Sequence, residues 1–177
     1  MKKLYYSKNY SYLFVDGYNI INFWSGFENL SLQDQRDKLI DILTEYAHLT
    51  DEKIILVFDG YMVKGSPGSI YKENKLTVVF TKEHETADHF IEKELNKIGR
   101  VRNIRVATSD NIEQQIILSR GGSRISAREF EIEVNLMKTK LEKSVENLKI
   151  KSENIKLLDN NLLDMLEKVK KDLDKNS

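Results

Sequence analysis

Two short apolar runs in this chain end on the same dipeptide: YLFV at residues 12–15 stops at Asp16-Gly17, and IILVF at 54–58 stops at Asp59-Gly60. Apolar runs of this length, bounded by turn residues, read as strands buried on both faces, the pattern of a parallel sheet. LTVVF at 76–80 and IRVA at 104–107 continue the series with β-branched residues that suit a pleated surface.

Helical spacing fills most of the gaps. Ser31 and Asp34 form a capping-box start, after which Leu32, Leu39, Ile40, Leu43 and Ala47 share one face. Ala87, Phe90, Ile91, Leu95 and Ile98 repeat the pattern after the third strand, and Asp110-Asn111-Ile112-Glu113 opens another helix after the fourth. Residues 63–75, with the only proline, read as a loop. Strands alternating with helices predict a three-layer α/β domain that ends near residue 120, with a central mostly parallel sheet and right-handed crossovers.

Past Gly121-Gly122, Ser126 and Glu129 set up a second capping box, and Phe130, Val134, Met137, Leu141, Val145 and Leu148 step by four and three along a long helix. The pattern weakens at 151–154, and Asp159 is placed to cap a final helix with Leu162, Leu163, Leu166 and Val169. Residues 1–148 are therefore assigned to one domain with its last long helix, and 149–177 to a helical C-terminal tail.

Acids recur after the strands. In a parallel sheet ligands bind beyond the carboxyl ends of the strands, so residues far apart in sequence converge there. Asp16 and Asp59 follow their strands directly, Asp110 comes shortly after the fourth, and Glu85 with Asp88 sits where the third strand's loop enters its helix. Crowded carboxylates repel unless a divalent cation neutralises them. The chain has no Cys and three His, so the ligands on offer are mainly oxygens, which suit Mg²⁺ or Mn²⁺ and, through them, phosphate chemistry. Each acid also has an ordinary alternative as a turn residue, an N-cap or a partner for a helix dipole; their coincidence at one sheet edge is what favours a site.

Four strings, Asp16-Gly17-Tyr18-Asn19, Val57-Phe58-Asp59-Gly60, Glu85-Thr86-Ala87-Asp88 and Ala107-Thr108-Ser109-Asp110, carry a resemblance to the NYN-domain ribonucleases of the PIN-like superfamily. Lys64-Gly65, residues 80–83 (FTKE) and residues 126–129 (SARE) extend it, and the bacterial YacP group is the most similar. That group includes a ribosome-associated endoribonuclease that cleaves mRNA in the A site. The resemblance runs from about residue 13 to 141 and implies a PIN-like, Rossmann-like fold. It further implies a metal-dependent endoribonuclease acting on single-stranded RNA, with mRNA as substrate and the ribosome as partner. Asp16, Asp88 and Asp110 would be metal-binding catalytic acids, Asn19 would orient the site or a phosphate, and Asp59 would stand beside them.

Lys+Arg and Asp+Glu both number 28, so the chain has no global cationic field, and any RNA contact must be local. Arg120, Arg124 and Arg128 around Gly121-Gly122 and a helix start are the strongest candidates, with Lys64 and Lys72 weaker ones. Trp24 and Phe27 are expected in the core rather than as base-stacking platforms, and His84 and His89 receive no catalytic role.

Competing enzymes fit less well. A haloacid-dehalogenase phosphatase needs an acid two residues after the first Asp, where Tyr18 stands; a dinucleotide site needs a G-x-G-x-x-G loop, which the first strand lacks. The alternative from another class is a noncatalytic RNA- or ribosome-binding adaptor with this fold. No run approaches the roughly 18 apolar residues of a membrane span, the start lacks a signal peptide's apolar core, and a cytoplasmic setting is expected.

Overall fold

The computed structural model describes residues 3–7, 9–60, 67–99, 103–109 and 122–175. The elements along the chain are β1 (Tyr12–Asp16), α1 (Gly17–Phe23), α2 (Leu32–Leu49), β2 (Lys53–Phe58), β3 (Ser69–Glu73), β4 (Leu76–Phe80), α3 (Ala87–Ile98), β5 (Ile104–Ala107), β6 (Ser123–Ile125) and α4 (Ala127–Lys175). The strands form one sheet of order β3-β4-β2-β1-β5-β6, with only β3 antiparallel to its neighbour. This is an α/β fold with a mostly parallel sheet.

β1 lies at the point where the strand order reverses. From β1 the chain builds outward through β2 to β4, and then α3 carries it back to place β5 on β1's other side. Such a switch point opens a crevice at the carboxyl edge of the sheet. Successive residues of each strand face opposite layers, which the apolar runs satisfy on both sides. Tyr12, Phe14, Ile55, Val57 and Val79 form one cluster with Ala87, Phe90, Ile91 and Leu95 of α3. The alternate residues Leu13, Val15, Ile54, Leu56, Phe58 and Val78 are equally buried, and α2 packs against β2 and β4.

The caps read from the sequence are present. Ser31 N-caps α2 and accepts from Asp34 N–H, while its hydroxyl donates to Asp34 at 2.6 Å. Ser126 and Glu129 make the reciprocal pair before α4. Both satisfy donors that a helix start leaves open.

Three local expectations change. Residues 69–73, expected within a loop, form β3, which pairs with β4 through a two-residue turn in which Asn74 has φ 56°. Its side chains are mostly exposed, so the strand rests on backbone pairing at a sheet edge and shows little apolar signature. β6 is three residues long with only Ile125 buried, equally faint as a pattern. The expected interruption at 151–154 and new cap at Asp159 do not occur; α4 runs unbroken from Ala127 to Lys175. No Gly or Pro follows Gly122, so nothing in that stretch strongly disfavours helix. The helix expected to open at Asp110 lies outside the described residues.

By internal contacts the chain divides into two units, Met1–Asn135 and Leu136–Ser177. Among the described residues no helix is long and apolar enough to cross a membrane.

Candidate active site

Asp16 is at once the last residue of β1 and the N-cap of α1, where its carboxylate accepts from Asn19 N–H at 3.1 Å. The next residue must be small: a Cβ on Gly17 would lie 2.4 Å from the Phe58 ring. Asp59 follows β2 and accepts a short hydrogen bond from Ala87 N–H, so it tethers the N-terminus of α3 to the end of β2. Gly60 then passes so close to the next strand's exit that a Cβ would lie 1.8 Å from the Thr81 carbonyl oxygen, and its N–H donates to Thr81 Oγ1 at 2.7 Å. Neither Asp-Gly pair is a left-handed turn, since neither glycine has positive φ. Close approach is what requires glycine in both.

Asp88 sits in the first turn of α3 and is brought to Asp16 by that tether. Burial is the main cause that pushes Asp16 from an ordinary 3.8 to about 7; the Asn19 N–H opposes it, while the charge and hydrogen bond of Asp88 and the charge of Asp59 add to it. Asp59 is raised by burial and by Asp88, with the Ala87 N–H pulling the other way. Three carboxylates from β1, β2 and α3 thus share one electrostatic environment at the crevice.

Asn19 reaches the segment that follows β5. Its side-chain carbonyl accepts from Ser109 N–H at 2.9 Å, and Ser109 Oγ accepts from Ala127 N–H at 3.2 Å. α1, the segment after β5 and the start of α4 are tied in one chain, immediately before Asp110 in sequence. Asp110, Arg120 and Lys64 lie outside the described residues. Among those described, no group of three or more acids and histidines is arranged to hold a metal ion.

Glu85 pairs with Lys93 at 2.9 Å through Oε1, and its buried Oε2 has no partner among the described residues. Arg124 lies in β6 with Nε donating to the Thr108 carbonyl at 3.3 Å, and Arg128 is exposed on the first turn of α4. Lys72 is exposed on β3, on the edge strand of the sheet. Trp24 and Phe27 are core residues, 5% and 2% exposed, and Trp24 Nε1 donates to Ala127 O at 2.8 Å. His84 and His89 are exposed.

One group at this edge escaped the sequence reading. Arg36 is buried on α2, where Nε donates to the Tyr18 hydroxyl at 2.7 Å. The available signal was its position: it lies four residues after Leu32 and three before Leu39, a cation on the apolar stripe of its helix.

Known proteins share this chain's sequence pattern and fold. Residues 13–171 match the family model described as a YacP-like NYN domain. The uncharacterized protein YacP of Bacillus subtilis (strain 168) is 39% identical over 140 residues, which cover 77% of this chain and 82% of that protein. The crystal structure of Rae1 (YacP) from Bacillus subtilis superposes with a TM-score of 0.68 at 35% identity, covering 91% of this chain and 95% of that one. A crystal structure of a point mutant of the same Bacillus subtilis protein gives the same TM-score of 0.68 at 36% identity, covering 78% of this chain and 84% of that one.

Proposed function

Because this chain belongs to the YacP-like NYN domain family, an RNase-type family, we propose that it is a metal-dependent endoribonuclease that hydrolyses phosphodiester bonds in single-stranded RNA. Its substrate in this reading is mRNA in a ribosome-associated, cytoplasmic setting. The observation that carries the proposal is the meeting of Asp16 and Asp88 at a buried place, where burial first, with Asp88 adding to it, lifts Asp16 to about 7. Such a pair is unfavourable by itself and becomes favourable around a cation.

The donor set fits Mg²⁺ or Mn²⁺, since the groups that meet are carboxylate oxygens with no thiolate in the chain. A divalent ion at such a site supplies Lewis acidity and charge neutralisation for phosphodiester hydrolysis. Asp16 and Asp88 would hold it, with Asp110 as third acid from its place after β5. Asp59 aims Asp88 by fixing the start of α3, and Asn19 holds Ser109, the residue before Asp110. Arg124 and Arg128, with Arg120 and Lys64, are the proposed phosphate contacts, and Glu85 is a secondary acid outside the ligand set.

Cleavage of labelled single-stranded RNA, free and on translating ribosomes, tests this with Mg²⁺, with Mn²⁺ and with EDTA. Metal-stimulated internal cleavage is expected. Asp59→Asn should cost about 10- to 100-fold, as loss of a group that supports a ligand does, and Asp16→Asn or Asp88→Asn should cost more. Tight RNA binding with no cleavage under any metal would replace the enzyme with an adaptor, and full activity in the Asp16 and Asp88 variants would end the mechanism.

A further inference from the structure

Arg36 and Tyr18 lie at the same sheet edge as the acids but do none of the carboxylates' work. Arg36 reaches from the beginning of α2 into an aromatic stack and is only 8% exposed. Nε and Nη2 both donate to the Tyr18 hydroxyl, Nε at 2.7 Å. The guanidinium carbon lies 5.4 Å from the Tyr18 ring centre and 5.7 Å from that of Phe80. Phe58 closes the stack, 5.3 Å from each of those rings.

Two features distinguish this group from a structural ion pair. Among the described residues no carboxylate pairs with Arg36, although a buried guanidinium is ordinarily held by an acid. The Tyr18 oxygen, meanwhile, accepts two N–H bonds, so its own hydrogen is directed elsewhere, and among the described residues it meets no acceptor. A concentrated positive charge and a hydroxyl donor with no acceptor among the described residues stand side by side, in surroundings whose low polarity strengthens both toward an anion. Tyr18 is two residues from Asp16, and Phe58 and Phe80 end strands at the edge where the acids gather.

We propose that Arg36 and the Tyr18 hydroxyl form a phosphate seat, which binds a backbone phosphate of the RNA strand beside the one cleaved at Asp16 and Asp88. This rests on the nuclease reading above. A forked guanidinium matches phosphate oxygens, and the negative strand supplies the counter-charge that the described residues do not. On a chain of zero net charge, such local seats must hold the polyanion.

The test is equilibrium binding of a labelled single-stranded RNA to the full chain in EDTA, over a series of KCl concentrations and well below the melting temperatures. Arg36→Gln should weaken binding about tenfold and reduce the slope of log affinity against log salt by about 0.7, one phosphate's worth on a single strand. Arg36→Lys keeps the charge and loses the fork, so affinity should fall while the slope stays. Tyr18→Phe, which keeps the ring on Phe58, should bind a few-fold more weakly. A folded Arg36→Gln with the parent's affinity and slope overturns the proposal and leaves a cation clipped between rings for stability. Should Arg36→Gln fail to fold, Arg36→Lys decides, and unchanged affinity there overturns it equally. A parent that neither binds nor cleaves RNA removes the nuclease reading and the seat together, whereas a parent that does both with indifferent variants removes only the seat.

Discussion

At the scale of single residues the most telling group is Asp16, whose carboxyl is lifted to about 7 chiefly by burial, with Asp88 and Asp59 adding to it. Its folded value lies above its ordinary 3.8, so the folded protein binds this proton more tightly than the unfolded chain does. The resulting stability is complete below about pH 4 and is lost as pH rises toward 7, at most about 4 kcal/mol shared among coupled neighbours. Asp16→Asn removes the charge and keeps an N-cap acceptor. In EDTA the variant should therefore melt near the parent at pH 4 and clearly above it at pH 8. Equal melting at both values would mean that Asp16 is not held in an unfavourable charged state.

Between elements, the two Asp-Gly pairs act as close-packed joints. Gly60 lets the exit of β2 lie against Thr81 at the exit of β4, which in turn sets Asp59 beneath α3. A methyl group there meets main chain that cannot rotate away, unlike a side chain. Gly60→Ala should therefore cost about 3 kcal/mol, the upper end of overpacking, and lower the melting temperature by about 6 to 12 °C. It should also reduce cleavage by more than the lost folded fraction explains, because α3 carries Asp88. An unperturbed melting curve would show that the joint is looser than its contacts imply.

For the molecule as a whole, metal binding and folding must be linked if the crevice holds a divalent ion. Metal that binds only the folded chain stabilises it by about 2.7 kcal/mol at roughly a hundred times Kd, raising the melting temperature by about 5 to 10 °C. Melting the parent against increasing Mn²⁺ should show this rise, and Asp16→Asn or Asp88→Asn should blunt it. The same rise in parent and variants would place the ion elsewhere.

The layer order of this protein was legible because its strands are largely buried on both faces: YLFV and IILVF are wholly apolar, LTVVF and IRVA carry one polar residue each, Thr77 and Arg105, and capping pairs mark α2 and α4. The gathering of Asp16, Asp59 and Asp88 followed from that order, since parallel strands end at one edge. Elements held by backbone pairing rather than apolar content, β3 and β6, left little trace. Tertiary structure alone decided what each side chain does at the edge. Asn19 turns to Ser109, Asp59 to the start of α3, and both glycines answer contacts with partners far away in sequence. Arg36 shows the division most clearly: its sequence position says only that a cation interrupts an apolar stripe. The rings beside it come from α1 and β4, whose approach depends on packing across the sheet rather than on any local pattern.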